Sequence, residues 1–269
     1  MIEFISALVV FMLLCASSAA GLYIQRRLRD EHRSQATVQL LQLVIGMLVT
    51  FAALVLGLLT NSASITHGQA NQDRARYAMQ LTQLDLCLRN YGRETEAIRQ
   101  DLRSYTAAVI ASTWPGESAP TGVTYPNTGR MPRTGEDPTL AEMMNKIGVG
   151  IHGLNQADGF HARLAEDCLN DYRTVLRARA AVIEDTQKTI PIPFYGILVF
   201  WLMIVFASFG LCSPRNWLVL IAIIMSAVSL SSVFFVIFDL FRPYRGVFGI
   251  SSQTMRDALA HMMEASTAL

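Results

Sequence analysis

Residues 41–60 read LQLVIGMLVTFAALVLGLLT, an unbroken stretch without Asp, Glu, Lys, Arg or His. A helix of about 20 apolar residues crosses the hydrocarbon of a bilayer. The stretch lies inside a longer run, Ser34–Gly68, free of Asp, Glu, Lys and Arg, and three more such runs follow the same rule: Ser6–Gln25, Thr189–Pro214 and Asn216–Phe238. The chain is 52% hydrophobic and 16% charged with mean hydropathy +0.32, and its apolar residues are concentrated in these runs rather than spread over a soluble core. The reading is an all-α integral membrane protein with four transmembrane helices at 5–24, 40–60, 194–212 and 217–238. The net charge of +1 gives no field that would recruit nucleic acid.

The division expected from this pattern has four parts. A first transmembrane hairpin occupies 1–60. A long extramembrane antiparallel helical hairpin, between spans two and three, occupies 61–193, with a Pro/Gly-rich tip at 113–138. A second transmembrane hairpin occupies 194–238, and an interfacial tail with a short amphipathic helix occupies 239–269. The first run does not read as a cleaved signal. Glu3 is the only charge before it, the positive cluster QRRLRDEHRS follows it, and Leu14 is too large to precede a lipoprotein cleavage at Cys15.

Arg26, Arg27, Arg29 and Arg33 sit in the loop between spans one and two, and Arg215 in the turn between spans three and four. The positive-inside rule assigns both loops to the cytoplasm. The hairpin and both termini then face the periplasm, and the protein belongs in the inner membrane.

From Tyr77 the apolar positions run Tyr77, Leu81, Leu84, Leu88, Tyr91, Thr95, Ile98, Leu102, Tyr105 and Val109, a heptad seam interrupted only by Thr95. A weaker pattern follows from Leu140 to Val182, loosened by Gly148, Gly150, Gly153 and Gly159. Two long antiparallel helices account for both. Between them Pro120, Pro126, Pro132 and Pro138 recur at a fixed interval. This tip either joins the helices or binds a protein partner through Trp114, Tyr125 and Met131.

Cys87 stands about 27 residues past the end of span two, and Cys168 about 26 before the start of span three, so in an antiparallel pair both reach about 40 Å along the helices. In an oxidising compartment they would form a disulfide; in a reducing one they would be two small buried thiols. Cys15 and Cys212 lie in spans.

No phosphate loop, nucleophile elbow or zinc motif occurs. Asp158 and His161 have the spacing of a metal pair, but no second pair accompanies them and a solvated helix face explains them. The reading is therefore not an enzyme, with no metal and no cofactor. The spans hold no Asp, Glu, Lys, Arg or His, which argues against a pump or coupled carrier and leaves room for a pore. Gly46, Thr50, Ala53 and Gly57 form a small-residue stripe on span two. Packing inside the chain is its first reading; a pore lining or subunit contact is the second.

The segment FDLFRPYRGVFGISSQTMRDAL, Phe238–Leu259, resembles the C-terminal signature of the bacterial bestrophin-like domain family. Asp239, Arg242, Pro243 and Gly246 fit its pattern, with Tyr244 as the aromatic residue. IGMLVTFAALVLGLLTNSA and LDLCLRNYG with IRQDLRSYTAAVIASTWP are similar to the same group. Read physically, Asp239 and Arg242 share the last turn of span four and pair, Pro243 stops the helix, and Ser251 or Ser252 caps a short helix carrying Met255, Leu259, Met262 and Met263. The resemblance implies an oligomeric anion channel with its bulk in the cytosol, against the orientation read from the arginines. The leading expectation is an interaction or sensory module in the lipid bilayer, with an oligomeric bestrophin-like channel as the alternative.

Overall fold

The computed structural model describes residues 2–27, 35–129, 131, 135–154, 158–188, 192–212, 216–244 and 246–267. All regular structure among them is helical: α1 (Ile2–Arg27), α2 (Gln35–Tyr91), α3 (Glu96–Thr113), α4 (Pro138–His152), α5 (Gly159–Gln187), α6 (Ile192–Cys212), α7 (Trp217–Leu240) and α8 (Gln253–Thr267), with a 3-10 turn at Arg93–Thr95. Four helices contain stretches long and apolar enough to cross a membrane: Phe4–Arg27, Gln39–Tyr91, Pro193–Cys212 and Trp217–Leu240. The expected loop arginines Arg29, Arg33 and Arg215, and Pro132 of the tip repeat, lie outside the described residues. The chain divides into two units, Met1–Thr66 with Thr189–Arg242, and His67–Lys188 with Pro243–Leu269.

In the first unit, Val10, Leu14, Leu198, Leu202, Phe206, Ala227 and Phe234 form an apolar core. Without a hydrophobic drive between helices in lipid, close packing decides which faces meet. The closest approach is between α1 and α6. A Cβ added at Gly21 would lie 2.9 Å from Ala207 C, and one at Gly210 would lie 2.9 Å from Leu22 N. Each glycine meets the other helix's backbone directly. The small-residue stripe that joins helices inside the chain is thus the ASSAAG run of α1, facing Ala207 and Gly210, rather than the one on α2. Several hydroxyls in these helices bond back along their own helix, as Ser208 Oγ does to Ile204 O at 2.8 Å and Thr60 Oγ1 to Leu56 O at 2.8 Å.

The second unit departs from the expected pair of long helices. The helix read from Tyr77 to Val109, with Thr95 as the one break in its seam, stops at Gly92, whose φ of 124° is open to glycine and costly for a β-carbon. Thr95 Oγ1 then sits 2.5 Å from Leu88 O, a carbonyl of the last helical turn, and 2.8 Å from Gly92 O, which also accepts from Thr95 N at 3.2 Å. The chain folds back, so the two halves of the seam face each other: Tyr77 meets Tyr105 and Asp85 meets Arg99. Asp101–Lys146 and Ile98–Gly150 set α3 antiparallel to α4. Met144–Tyr172 and Glu136–Arg179 place the α4 region antiparallel to α5, and Cys87–Cys168 with Gln83–Asp171 sets α5 antiparallel to α2. The result is an up-down-up-down bundle of four segments. Gly148 is small for a reason: a Cβ there would strike the Tyr172 ring, at 2.9 Å from Cε1.

Caps fix the remaining ends. Asp137 accepts from Thr139 N and Leu140 N, with Pro138 in the first turn of α4. Asp158 accepts from Phe160 N and His161 N. Helix α8 buries Met255, Ala258, Leu259 and Met262 in the bundle core. The tail helix expected to lie on a membrane surface therefore has its apolar face covered by protein.

Candidate functional site

Two features single themselves out: the outer face of α2 in the first unit, and the segment that follows α7. Gly46, Thr50, Ala53 and Gly57 all lie exposed on α2. A Cβ at Gly46 or Gly57 would have open space around it, and Thr50 Oγ1 bonds back to Gly46 O at 2.9 Å. Packing inside the chain, the first reading of this stripe, is thereby corrected: Ala52 and Leu59, on the opposite side of α2, face the core. Only 11% of the most apolar stretch of α2 is buried, against 28–33% in the other three spanning helices. Leu54, Leu58 and Met47 are exposed beside the stripe.

At the end of α7, Asp239 is 1% exposed, and its carbonyl accepts from Arg242 N at 3.0 Å. Pro243 is buried, and its carbonyl accepts from Ile250 N at 2.6 Å, closing a loop in which Gly246 takes φ 89°. The loop is anchored from several directions. Trp114 Nε1 donates to Ile250 O at 2.6 Å, and its ring meets Tyr244 edge-on at 5.7 Å. Arg74 donates to Ser251 O through Nη1 and to Asn71 Oδ1 through Nη2 at 2.8 Å. Glu117 accepts from Ser252 N at 3.2 Å and from the Ser252 hydroxyl, and pairs with Arg256 at 3.3 Å. Burial works to raise the Glu117 carboxyl, but the hydrogen bonds from Ser252 and Arg256 outweigh it and hold the group below its ordinary value.

Of the tip residues, Trp114 is spent on this anchoring. Trp114 is buried, Tyr125 is partly buried and packs against the bundle core, and Met131 is half-buried, which favours the first of the two readings of the tip, a connection between helices. No signal short of the tertiary fold marks Glu117, Arg74 and Arg256 as partners in holding the segment after α7, because the first two lie far from it in sequence.

Cys87 and Cys168 are joined, with Cα atoms 5.5 Å apart and both side chains buried. Cys15 and Cys212 carry free thiols. Beside the cystine, Arg99 grips Asp85 through two hydrogen bonds of 2.9 and 3.1 Å with both side chains nearly inaccessible, and Glu96 joins Arg99 and Arg103 at 2.8 and 3.1 Å. Asp158 and His161, which have the spacing of a metal pair, meet at a helix cap, with His161 Nδ1 3.0 Å from the carboxylate. Among the described residues no group of three or more His, Cys, Asp or Glu side chains is placed to hold a metal ion.

Two solved structures share the fold. A crystal structure of a membrane protein bearing a single proline-to-alanine change matches at 13% identity and TM-score 0.62, covering 98% of each chain. A bacterial bestrophin homologue from Klebsiella pneumoniae, carrying an isoleucine-to-threonine mutation, matches at 12% identity and TM-score 0.61, covering 99% of this chain and 100% of the other. Comparison with curated proteins gives no match. The family described as Bestrophin-like domain matches residues 12–255, from the middle of α1 into α8, taking in Asp239, Arg242, Pro243 and Gly246. The chain belongs to the bestrophin-like domain family.

Proposed function

We propose that the protein is an oligomeric ion channel of the inner membrane, in which the small-residue face of α2 meets other copies of the chain and borders the conduction path. The observation that carries this reading is the uncovered face of α2. A spanning helix whose Gly46–Gly57 stripe is not used inside its own chain is suited to close approach by another helix, and closed symmetry is the usual way to cover such a face on identical copies. The stretch 41–60 has no ionisable side chain, which leaves backbone and hydroxyl dipoles and apolar constrictions as the gating elements. The bestrophin-like family includes anion channels, and anions are the permeant class to test first.

The helical bundle is extramembrane in this account. Arg26 and Arg27, together with the arginines that follow them in the same loop, favour a cytoplasmic loop between the first two spans. The cystine of α2 and α5 favours an oxidising compartment for the bundle. Both support a periplasmic bundle with periplasmic termini. The sensory reading enters as regulation of such a channel rather than in place of it.

The purified protein should run in detergent as a homo-oligomer of defined mass and should release anions from loaded liposomes. A monomer that forms liposomes as tight as empty ones would remove the channel and restore the module.

A further inference from the structure

A cavity of about 90 Å³ lies within the bundle unit, between α2, α3, the start of α4 and α5. Much of its wall is apolar, supplied by residues such as Val109, Leu140 and Val182, yet it also holds a guanidinium and two phenols. Arg179 is only 13% exposed along its side chain. Its Nε donates to Tyr105 Oη at 3.1 Å, and its Nη1 donates to Glu136 Oε1 at 2.8 Å. Tyr105 Oη in turn lies 2.5 Å from Tyr77 Oη.

Counting donors shows what this group lacks. The Arg179 Nε–H takes a lone pair of Tyr105. One phenol then donates to the other, whichever way the bond runs. Among the described residues, the second phenolic proton has no acceptor inside the trio, and Nη2 of Arg179 has none either. Burial keeps both phenols protonated at neutral pH, pushing Tyr77 well above the ordinary tyrosine value and Tyr105 upward too. A buried O–H left without an acceptor is costly, so the site calls for an oxygen. Glu136 is the carboxylate on the guanidinium, and with its side chain 53% exposed it is a weakly held, half-solvated tenant from the α3–α4 connection.

We propose that this cavity binds a small carboxylate anion, which displaces Glu136 from Arg179 and accepts the spare phenolic proton of the Tyr77–Tyr105 pair. The space suits an anion of two or three carbon atoms; it holds about three water volumes. Two oxygens on one carbon let a carboxylate accept from the guanidinium and from the phenol at separate atoms, a match of shape that a single spherical halide lacks. Tyr244 also lines the cavity, two residues after Arg242 in the signature.

The test uses the full-length protein in detergent, titrated with acetate at constant ionic strength while its melting temperature is followed. Chloride and neutral acetamide serve as comparators. Wild type should show saturable stabilisation by acetate and none by acetamide or chloride. Glu136→Gln removes the competing carboxylate and should tighten the apparent Kd about fivefold, since a half-exposed pair is worth little more. Tyr77→Phe should weaken it several-fold, and Arg179→Gln should abolish saturation. If Arg179→Gln does not fold, the opposite shifts of Glu136→Gln and Tyr77→Phe still decide. No saturation in wild type or Glu136→Gln, equal stabilisation by chloride or acetamide, or unchanged affinity in both variants would overturn the proposal.

Discussion

Gly210→Ala is the sharpest probe of the first unit. The added Cβ would stand 2.9 Å from Leu22 N and 3.0 Å from Ser18 C, and nearer still to Ser18 O. Unstrained carbon contacts fall at about 3.5–4.0 Å, so α1 and α6 must part by about 1 Å along their closest stretch. Those neighbours are helical backbone, which cannot swing aside as a side chain does. Overpacking of this kind costs about 1–3 kcal/mol. The higher helix propensity of alanine returns less than about 1 kcal/mol of it. For a chain of this size a net loss of about 2 kcal/mol lowers Tm by roughly 4–8 °C. The assay is the melting temperature of the purified protein in one detergent, with Gly57→Ala measured beside it. Gly57 has open space where its Cβ would point, so its alanine variant should melt at or above the wild-type temperature when the protein is dissociated to monomer. A Gly210→Ala protein that melts within a degree of wild type would refute the direct backbone contact between α1 and α6.

Three further outcomes follow from the bundle. Asp85→Asn should destabilise it by up to about 3–5 kcal/mol, because Arg99 would lose its buried counter-charge and keep only the half-exposed Glu96; chemical denaturation reads this, and a loss under about 1 kcal/mol would mean that Glu96 alone suffices for Arg99. Reduction of the Cys87–Cys168 bond, which spans 81 residues of sequence, should cost at most about 4.5 kcal/mol, and a thiol-labelling gel shift should show two blocked cysteines before reduction and four reactive ones after it in denaturant. Glu117 has its folded value depressed, so its contribution is present above the unfolded carboxyl range and is lost as pH falls through the folded value. Stability should decline on acidification below about pH 4.3, and Glu117→Gln should flatten that limb; an unchanged acid limb would deny Glu117 its place in holding α8.

How much of this could be read beforehand depended on the range of the interaction. The four spanning stretches are local facts of composition, and the charge-free runs locate them to within a few residues at most ends. The heptad seam from Tyr77 to Val109 was visible too, since its apolar positions do pack together. What periodicity could not reveal is that they pack against each other. Register survives a fold-back when the turn occupies a suitable number of residues, and the one local sign of the turn was Gly92 standing after Asn90 and Tyr91. The small residues of α1 were legible as ASSAAG, but only the partner helix shows that Gly21 and Gly210 are the ones in contact. The stripe on α2 is equally plain in sequence and faces away from its own chain, a difference composition does not encode. Arg74, Trp114 and Glu117 hold the segment after α7 across more than a hundred residues of chain, and no pattern of neighbours announces such pairs.

The most direct test of the account is block of conduction through α2. With Cys15 and Cys212 replaced by serine and the cystine kept, Gly57→Cys protein in a planar bilayer should carry an anion current that falls when a charged, water-soluble thiosulfonate is added, while the parent without the new cysteine is unaffected. A current that Gly57→Cys conducts unchanged in the presence of the reagent, or no current from either protein, would contradict the placement of this face on a conduction path.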